Sequence, residues 1–267
     1  MASEERSPGL DVVTVGPGPK GKHRALSAAG HAELFTRFVA DYAALHSDRP
    51  ITVLQAGCAT AGPEIDLAAL RASGVDLVVS GIDDDCRAAR AAVARRPELR
   101  SATLGELRLV PLTPRSFDIV QCSMLLHRIG NAELVLGRLV GALRPGGLLL
   151  LRTADRQSAA GLLDRKLPTF LRAIAWQAVN QGQPGPFPAR YEPIASAQGL
   201  EAFVTRHGLV IAHRGTCRAP GRASGWGGVP VSHTLVNLLS GGRYASGHDE
   251  LRYVIRKRED PDARILQ

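Results

Sequence analysis

Residues 51–64, ITVLQAGCATAGPE, begin as an apolar run rich in β-branched side chains, pass into small residues and end in an acid. That order reads as a buried parallel strand, a tight turn and a helix start. Gly57, Ala59, Ala61 and Gly62 place almost no side chain in the turn, so a ligand can approach its backbone N–H groups closely. A helix start adds unpaired donors. A nucleotide-like cofactor is therefore expected here.

Outward from this turn, residues 75–83 (VDLVVSGID) read as a second apolar strand ending in acid. Asp83 follows the turn near the roughly 20-residue offset at which a carboxylate accepts both ribose hydroxyls. Asp83, Asp84 and Asp85 also stand where they can cap the helix that runs to about Arg95. Further strands are predicted over 106–112, 117–122 and 148–151. The helix between the last two starts at Gly130 and Asn131, carries Leu136, Leu139, Val140 and Leu143 on one face, and stops at Pro145, Gly146 and Gly147. An amphipathic helix over 31–46 precedes the first strand. A crossover helix over 64–72 follows it, with Gly74 as its stop.

The chain has 267 residues and a net charge of +8, but its arginines are scattered and only 4% of residues are aromatic. A nucleic-acid reader would cluster its basic residues among aromatics, so nucleic acid is not the expected partner. Cys58, Cys86, Cys122 and Cys217 lack metal-ligand or disulfide spacing, which argues for reduced thiols in a cytoplasmic protein without a metal. No run approaches the roughly 18 apolar residues of a membrane span.

Residues 116–152, SFDIVQCSMLLHRIGNAELVLGRLVGALRPGGLLLLR, resemble the class I S-adenosylmethionine-dependent methyltransferases, specifically the small Rossmann-like group with the SFD to LRPGG signature. The likeness extends over about residues 30–155. It implies an α/β fold: a seven-stranded, mostly parallel sheet with helices on both faces and an antiparallel last strand. It also implies S-adenosylmethionine as cofactor and a small-molecule acceptor. By the resemblance, Gly57 is the first glycine of the methionine-binding loop, with Cys58 beside it, Ala59 and Ala61 at the next glycine positions, and Gln55 where the family often has an acid. Asp83 is the ribose acid and Asp84 lies along the adenine. Glu106 and Leu107 flank the adenine amino group, and Cys122 and Ser123 face the methionine part.

Gln55, Ala59 and Ala61 depart from the family pattern, which keeps open a non-catalytic relative used for ligand sensing or protein contacts. Gly57, Ala59 and Gly62 also spell a relaxed dinucleotide fingerprint, so an NAD-dependent oxidoreductase is the lesser alternative. On the acceptor side, His127 is the candidate catalytic residue, and it reads equally as a packing histidine. Arg128 is either an anchor for an acceptor carboxylate or phosphate, or a solvated surface charge.

The expected organisation is a tail over 1–25, a domain over 26–260 with lid or acceptor segments at about 165–195 and 216–249, and a tail over 261–267. Helices are predicted over 167–179, 197–207 (capped by Ser196) and 231–239, and strands over 209–213 and 250–257. Phe187, Tyr191, Trp176 and Trp226 are candidates to line the acceptor pocket. The oligomeric state is left open.

Overall fold

In the computed structural model, which describes residues 28–59, 64–179, 187–217, 241, 244 and 247–259, the apolar run of the quoted stretch is the central strand β1 (Ile51–Ala56). Its alternate side chains enter two layers. Ile51 and Val53 pack with Phe35 and Val39 of α1 (Ala28–Ala44), while Leu54 and Ala56 join the opposite core with Leu136 and Leu139 of α4 (Ala132–Ala142). Burial on both faces is why the strand reads as continuous apolar sequence.

β2 (Leu77–Asp83) and β4 (Phe117–Ser123) flank β1 in parallel, β3 (Ser101–Leu104) extends the sheet beside β2, and β5 (Leu143–Ala154) lies beside β4. β7 (Glu250–Arg256) pairs antiparallel with β5 and with β6 (Val210–Cys217), giving a seven-stranded sheet in the order β3-β2-β1-β4-β5-β7-β6. This is the expected Rossmann-like architecture. The remaining helices are α2 (Leu67–Ala72), α3 (Arg87–Val93), α5 (Ala159–Lys166), α6 (Thr169–Val179) and α7 (Ala197–Arg206). Ser196 caps α7 through Gly199 N at 3.1 Å, as read from the sequence.

Several boundaries differ from the sequence expectation. Residues 106–112 are not the third strand. Leu107 and Val110 are buried while Leu109 is 73% exposed, a spacing of three that belongs to a turn, and the N–H groups of Leu109 and Val110 both donate to the Glu106 carbonyl. The true β3 has no apolar pattern because it is an edge strand whose four residues are not buried. α2 begins at Leu67, capped by Asp66, because Glu64 is drawn into a buried ion cluster instead. Cys86, not the Asp83 to Asp85 run, caps α3, through Ala89 N. α4 ends at Ala142, before Pro145, and β5 runs through the Gly146–Gly147 pair with a register shift. The predicted helix over 231–239, both tails and Trp226 lie outside the described residues.

The N-terminal edge of the sheet is fastened by Asp118. Its buried carboxylate accepts from Arg49 Nη1 and Nη2 (2.8 and 2.7 Å), Arg144 Nη1 (2.8 Å), Thr52 N and Oγ1 (2.9 and 2.7 Å) and Tyr42 Oη (3.1 Å). Burial works to raise this carboxyl, but the hydrogen bonds from Arg49, Thr52 and Arg144 outweigh it and hold it well below the ordinary carboxylate range. Near the start of α1, His31 faces His213 of β6 with ring centroids 6.1 Å apart. Burial pulls both imidazoles below 6.5, with the Arg252 charge reinforcing it at His31.

The signs agree. In each case the unfolded chain binds a proton that the folded chain resists, so acid favours unfolding. Urea-unfolding midpoints are expected to fall as pH drops below 6.5, where the two histidines protonate in the unfolded state, and to fall again below 3.8 as Asp118 does. A midpoint that stays flat through the first window would contradict the buried, neutral state of the imidazoles.

Candidate functional site

The strand order changes direction at β1 and β4, and the crevice at the C-terminal ends of these strands is where open α/β sheets take ligands. Gly57, the first residue of the turn after β1, has φ +86°, and a Cβ there would sit 2.5 Å from the Ser123 carbonyl oxygen. Only glycine lets the turn seat so closely against the end of β4. Cys58 packs its sulfur on Gly81, and its carbonyl accepts from Arg96 Nη1 at 2.6 Å. Burial pushes the Cys58 and Cys122 thiols up to about 12, so neither is a nucleophile near neutral pH. Gln55 is buried, with Oε1 accepting from Arg96 Nη2 at 2.8 Å and Nε2 donating to Gln121 Oε1 at 3.4 Å.

Asp83 ends β2 beside this turn. Its Oδ2 accepts from Ala59 N at 2.8 Å and its Oδ1 from Asp84 N at 2.8 Å. The same Oδ1 is ion-paired with Arg128 Nη2, and both side chains are shut away from solvent. Burial pushes the Asp84 carboxyl above its ordinary range; Asp83 reinforces this and the Arg128 charge opposes it. Ser123 Oγ accepts from Gln121 Nε2 at 3.1 Å.

One edge of the sheet thus gathers Gln55, Gly57, Cys58, Ala59, Asp83, Asp84, Cys122 and Ser123. Leu107 is buried nearby, whereas the side chain of Glu106 is exposed and paired with Arg108. Ala61 and Gly62 lie outside the described residues.

Arg128 corrects the surface-charge expectation. It is buried, and its guanidinium stacks 4.8 Å from the centroid of Phe187. The expectation missed its partner because Asp83 and Arg128 lie far apart in sequence, and no local pattern joins them. His127 is buried too. Its carbonyl accepts from the N–H groups of Arg190 and Tyr191 (3.0 and 2.9 Å), and its ring lies 5.4 Å from that of Tyr191. Glu192 completes the joint, its carboxylate accepting from Asn131 N and Ala132 N (2.7 and 2.8 Å) at the start of α4.

Two further polar groupings had no local sequence signal. Arg152 binds Glu250 in bidentate fashion (2.8 Å twice) and Glu64 at 2.5 Å, and Arg252 reaches Glu64 at 3.0 Å and Glu250 at 3.3 Å. Asp155 pairs with His248 at 2.8 Å. Among the described residues no cluster of three or more His, Cys, Asp or Glu is placed to hold a metal, and no helix is long and apolar enough to cross a membrane.

The fold is shared with solved structures at low identity. The [4+2]-cyclase SpnF superposes with a TM-score of 0.52 at 18% identity, over 91% of this chain and 89% of SpnF. The plantazolicin methyltransferase BamL, solved with a triazolic desmethylPZN analog and SAH, gives 0.50 at 15% identity over 86% of this chain and 85% of its own. No curated protein matches this sequence. A family model described as a methyltransferase domain matches residues 27–213, most of the chain. With that match, and with its sheet in the order β3-β2-β1-β4-β5-β7-β6, the chain belongs to the methyltransferase-domain family, on the fold of the class I S-adenosylmethionine-dependent enzymes.

Proposed function

We propose that the chain transfers the methyl group of S-adenosylmethionine to a small or medium-sized acceptor molecule. The observation that carries this is the buried carboxylate of Asp83 reaching the turn after β1, at 2.8 Å from Ala59 N. In this reading Gln55, Gly57, Cys58 and Ala59, with Cys122 and Ser123, hold the methionine end of the donor. Asp83 and Asp84 take the ribose, and Glu106 and Leu107 border the adenine. The donor supplies a methyl group on a sulfonium. Transfer is an in-line displacement, so the protein's task is to align acceptor and methyl and to exclude water. In this reading the described part of the segment at about 165–195 borders the acceptor, and most of 216–249 lies outside the described residues.

The residues present fit the donor on one condition. Gly57 has the backbone conformation and clearance of a ligand cradle, but both oxygens of Asp83 already hold protein donors. Ribose hydroxyls take the place of the Arg128 guanidinium. A permanently closed Arg128–Asp83 pair favours the second reading, a non-catalytic relative. Fold alone does not choose between activities, since SpnF, a [4+2]-cyclase, shares it. Family membership favours the methyl donor over a dinucleotide.

Isothermal titration decides between the two. Binding of S-adenosylmethionine and S-adenosylhomocysteine at about micromolar Kd supports the transferase, near −8 kcal/mol. Absence of heat up to millimolar ligand overturns it in favour of the non-catalytic reading.

A further inference from the structure

The acceptor chemistry of the proposed transferase is written in a second pair of side chains at the same edge of the sheet. Asp155 directly follows β5 and His248 stands just before β7. The two strands run antiparallel, with Ala154 opposite Glu250, so both residues emerge at the same edge of the sheet as the C-terminal ends of β1 and β4, with β5 next to β4 and β7 one strand further on. His248 Nε2 lies 2.8 Å from Asp155 Oδ2. The other carboxylate oxygen, Oδ1, accepts from Gln157 N at 2.8 Å, and the main chain of Asp155 is held as well, its N–H donating to the Asp249 carbonyl at 2.8 Å and its carbonyl accepting from Ser158 Oγ at 2.9 Å.

Accessibility divides unequally between the two side chains. The Asp155 side chain is 4% exposed and that of His248 is 23% exposed. A carboxylate that accepts the Nε2–H fixes the tautomer and leaves the lone pair on Nδ1. Among the described residues nothing bonds that nitrogen. A buried acid orienting a partly open imidazole, at the ligand edge of the sheet, is how a general base is built. His127, by contrast, is packed against Tyr191 beneath the 187–192 segment.

Resting on the methyl-transfer reading, we propose that His248 is the general base, with Asp155 as its positioning residue, and that the acceptor is a hydroxyl compound that loses its proton on methylation. The acceptor O–H bond breaks and its proton passes to His248 Nδ1. The electron pair left on oxygen forms the bond to the methyl carbon, and the pair of the broken carbon–sulfur bond stays on sulfur. The imidazolium then returns its proton to water. An acceptor with no proton to lose, such as a thioether, needs no such base.

The experiment has two arms, after calorimetry has established S-adenosylhomocysteine binding to the full chain. In a crystal structure of that complex, His248 Nδ1 is expected within about 8 Å of the ligand sulfur, with open space between. Imidazole to acceptor oxygen and oxygen to methyl each span about 3 Å, and the methyl–sulfur bond adds the rest. Phenol, catechol and benzyl alcohol are then offered as probes beside the thioether thioanisole. His248→Gln is expected to lower kcat for a hydroxyl probe by about a hundredfold or more, with S-adenosylmethionine affinity and melting temperature unchanged. Asp155→Asn is expected to give a smaller loss in kcat alone.

A wall of side chains between His248 and the sulfur, or equal kcat in His248→Gln, overturns the proposal. If no probe reacts, the crystal arm decides by itself. Absence of any heat with S-adenosylhomocysteine instead defeats the donor site itself, and this proposal with it.

Discussion

Replacing Asp83 with alanine is expected to lower the stability of the chain by about 3 to 5 kcal/mol, because the Arg128 guanidinium is then left buried without its counter-charge. Arg128 has no easy exit in the closed state, since Phe187 lies over its guanidinium. The double variant Asp83→Ala/Arg128→Met is expected to recover most of the loss, because removing both members of a buried pair is often close to neutral. Donor binding separates from stability in the same set. Arg128→Met removes the competitor for the ribose acceptor and is expected to tighten S-adenosylmethionine about tenfold, or ~1.4 kcal/mol. The double variant lacks the acceptor as well and is expected to bind more weakly than either parent or Arg128→Met. Urea unfolding and calorimetry read the two quantities. If the double variant is as unstable as Asp83→Ala, the charge pair is not the source. If Arg128→Met leaves affinity unchanged, the guanidinium does not contest the ribose site.

The second large effect belongs to the ring of charges formed by Glu64, Arg152, Glu250 and Arg252. Two acids and two arginines balance, and Arg252 is 1% exposed. Glu64→Gln keeps the shape but leaves a net positive charge among buried groups, with an expected loss of about 3 to 5 kcal/mol. Because Glu64 is the anchor just beyond the turn after β1, the variant is also expected to weaken donor binding. Glu64→Gln/Arg252→Met should be more stable than the sum of the two single changes, by roughly 0.5 to 3 kcal/mol. Strict additivity would show that the two side chains act independently.

The fold was legible because its central strands are buried on both faces and separated by small-residue turns: β1, β2, β4 and the middle of β5 stand out as apolar runs. β3 was not legible, since an edge strand gets its conformation from pairing and SATL carries no burial pattern, while the apolar residues of 106–112 imitate one. At the candidate site, the closeness of Asp83 to the turn after β1 was legible because a parallel strand pair brings a turn and the next strand end together. Arg128, Glu192 and His248 were misread or missed. Each is placed by a partner in another part of the chain, a relation that neither periodicity nor spacing records. Glu64 looked like a helix start for the same reason: a helix does follow, from Leu67, but the Glu64 charge is claimed by arginines on β5 and β7.

The carboxylate of Glu192 has one more implication. It serves as the borrowed N-cap of α4, whose own Asn131 makes no side-chain cap bond and sits at φ +54°. That helix leads directly out of the loop holding His127 and Arg128, while Glu192 ends the stretch carrying Phe187 and Tyr191. Whatever lifts the later stretch uncaps a helix and unstacks an arginine in one movement. The N-terminus of α4 and the seat of the Arg128 guanidinium therefore hang on one short stretch of chain, so Glu192→Gln is expected to loosen both together.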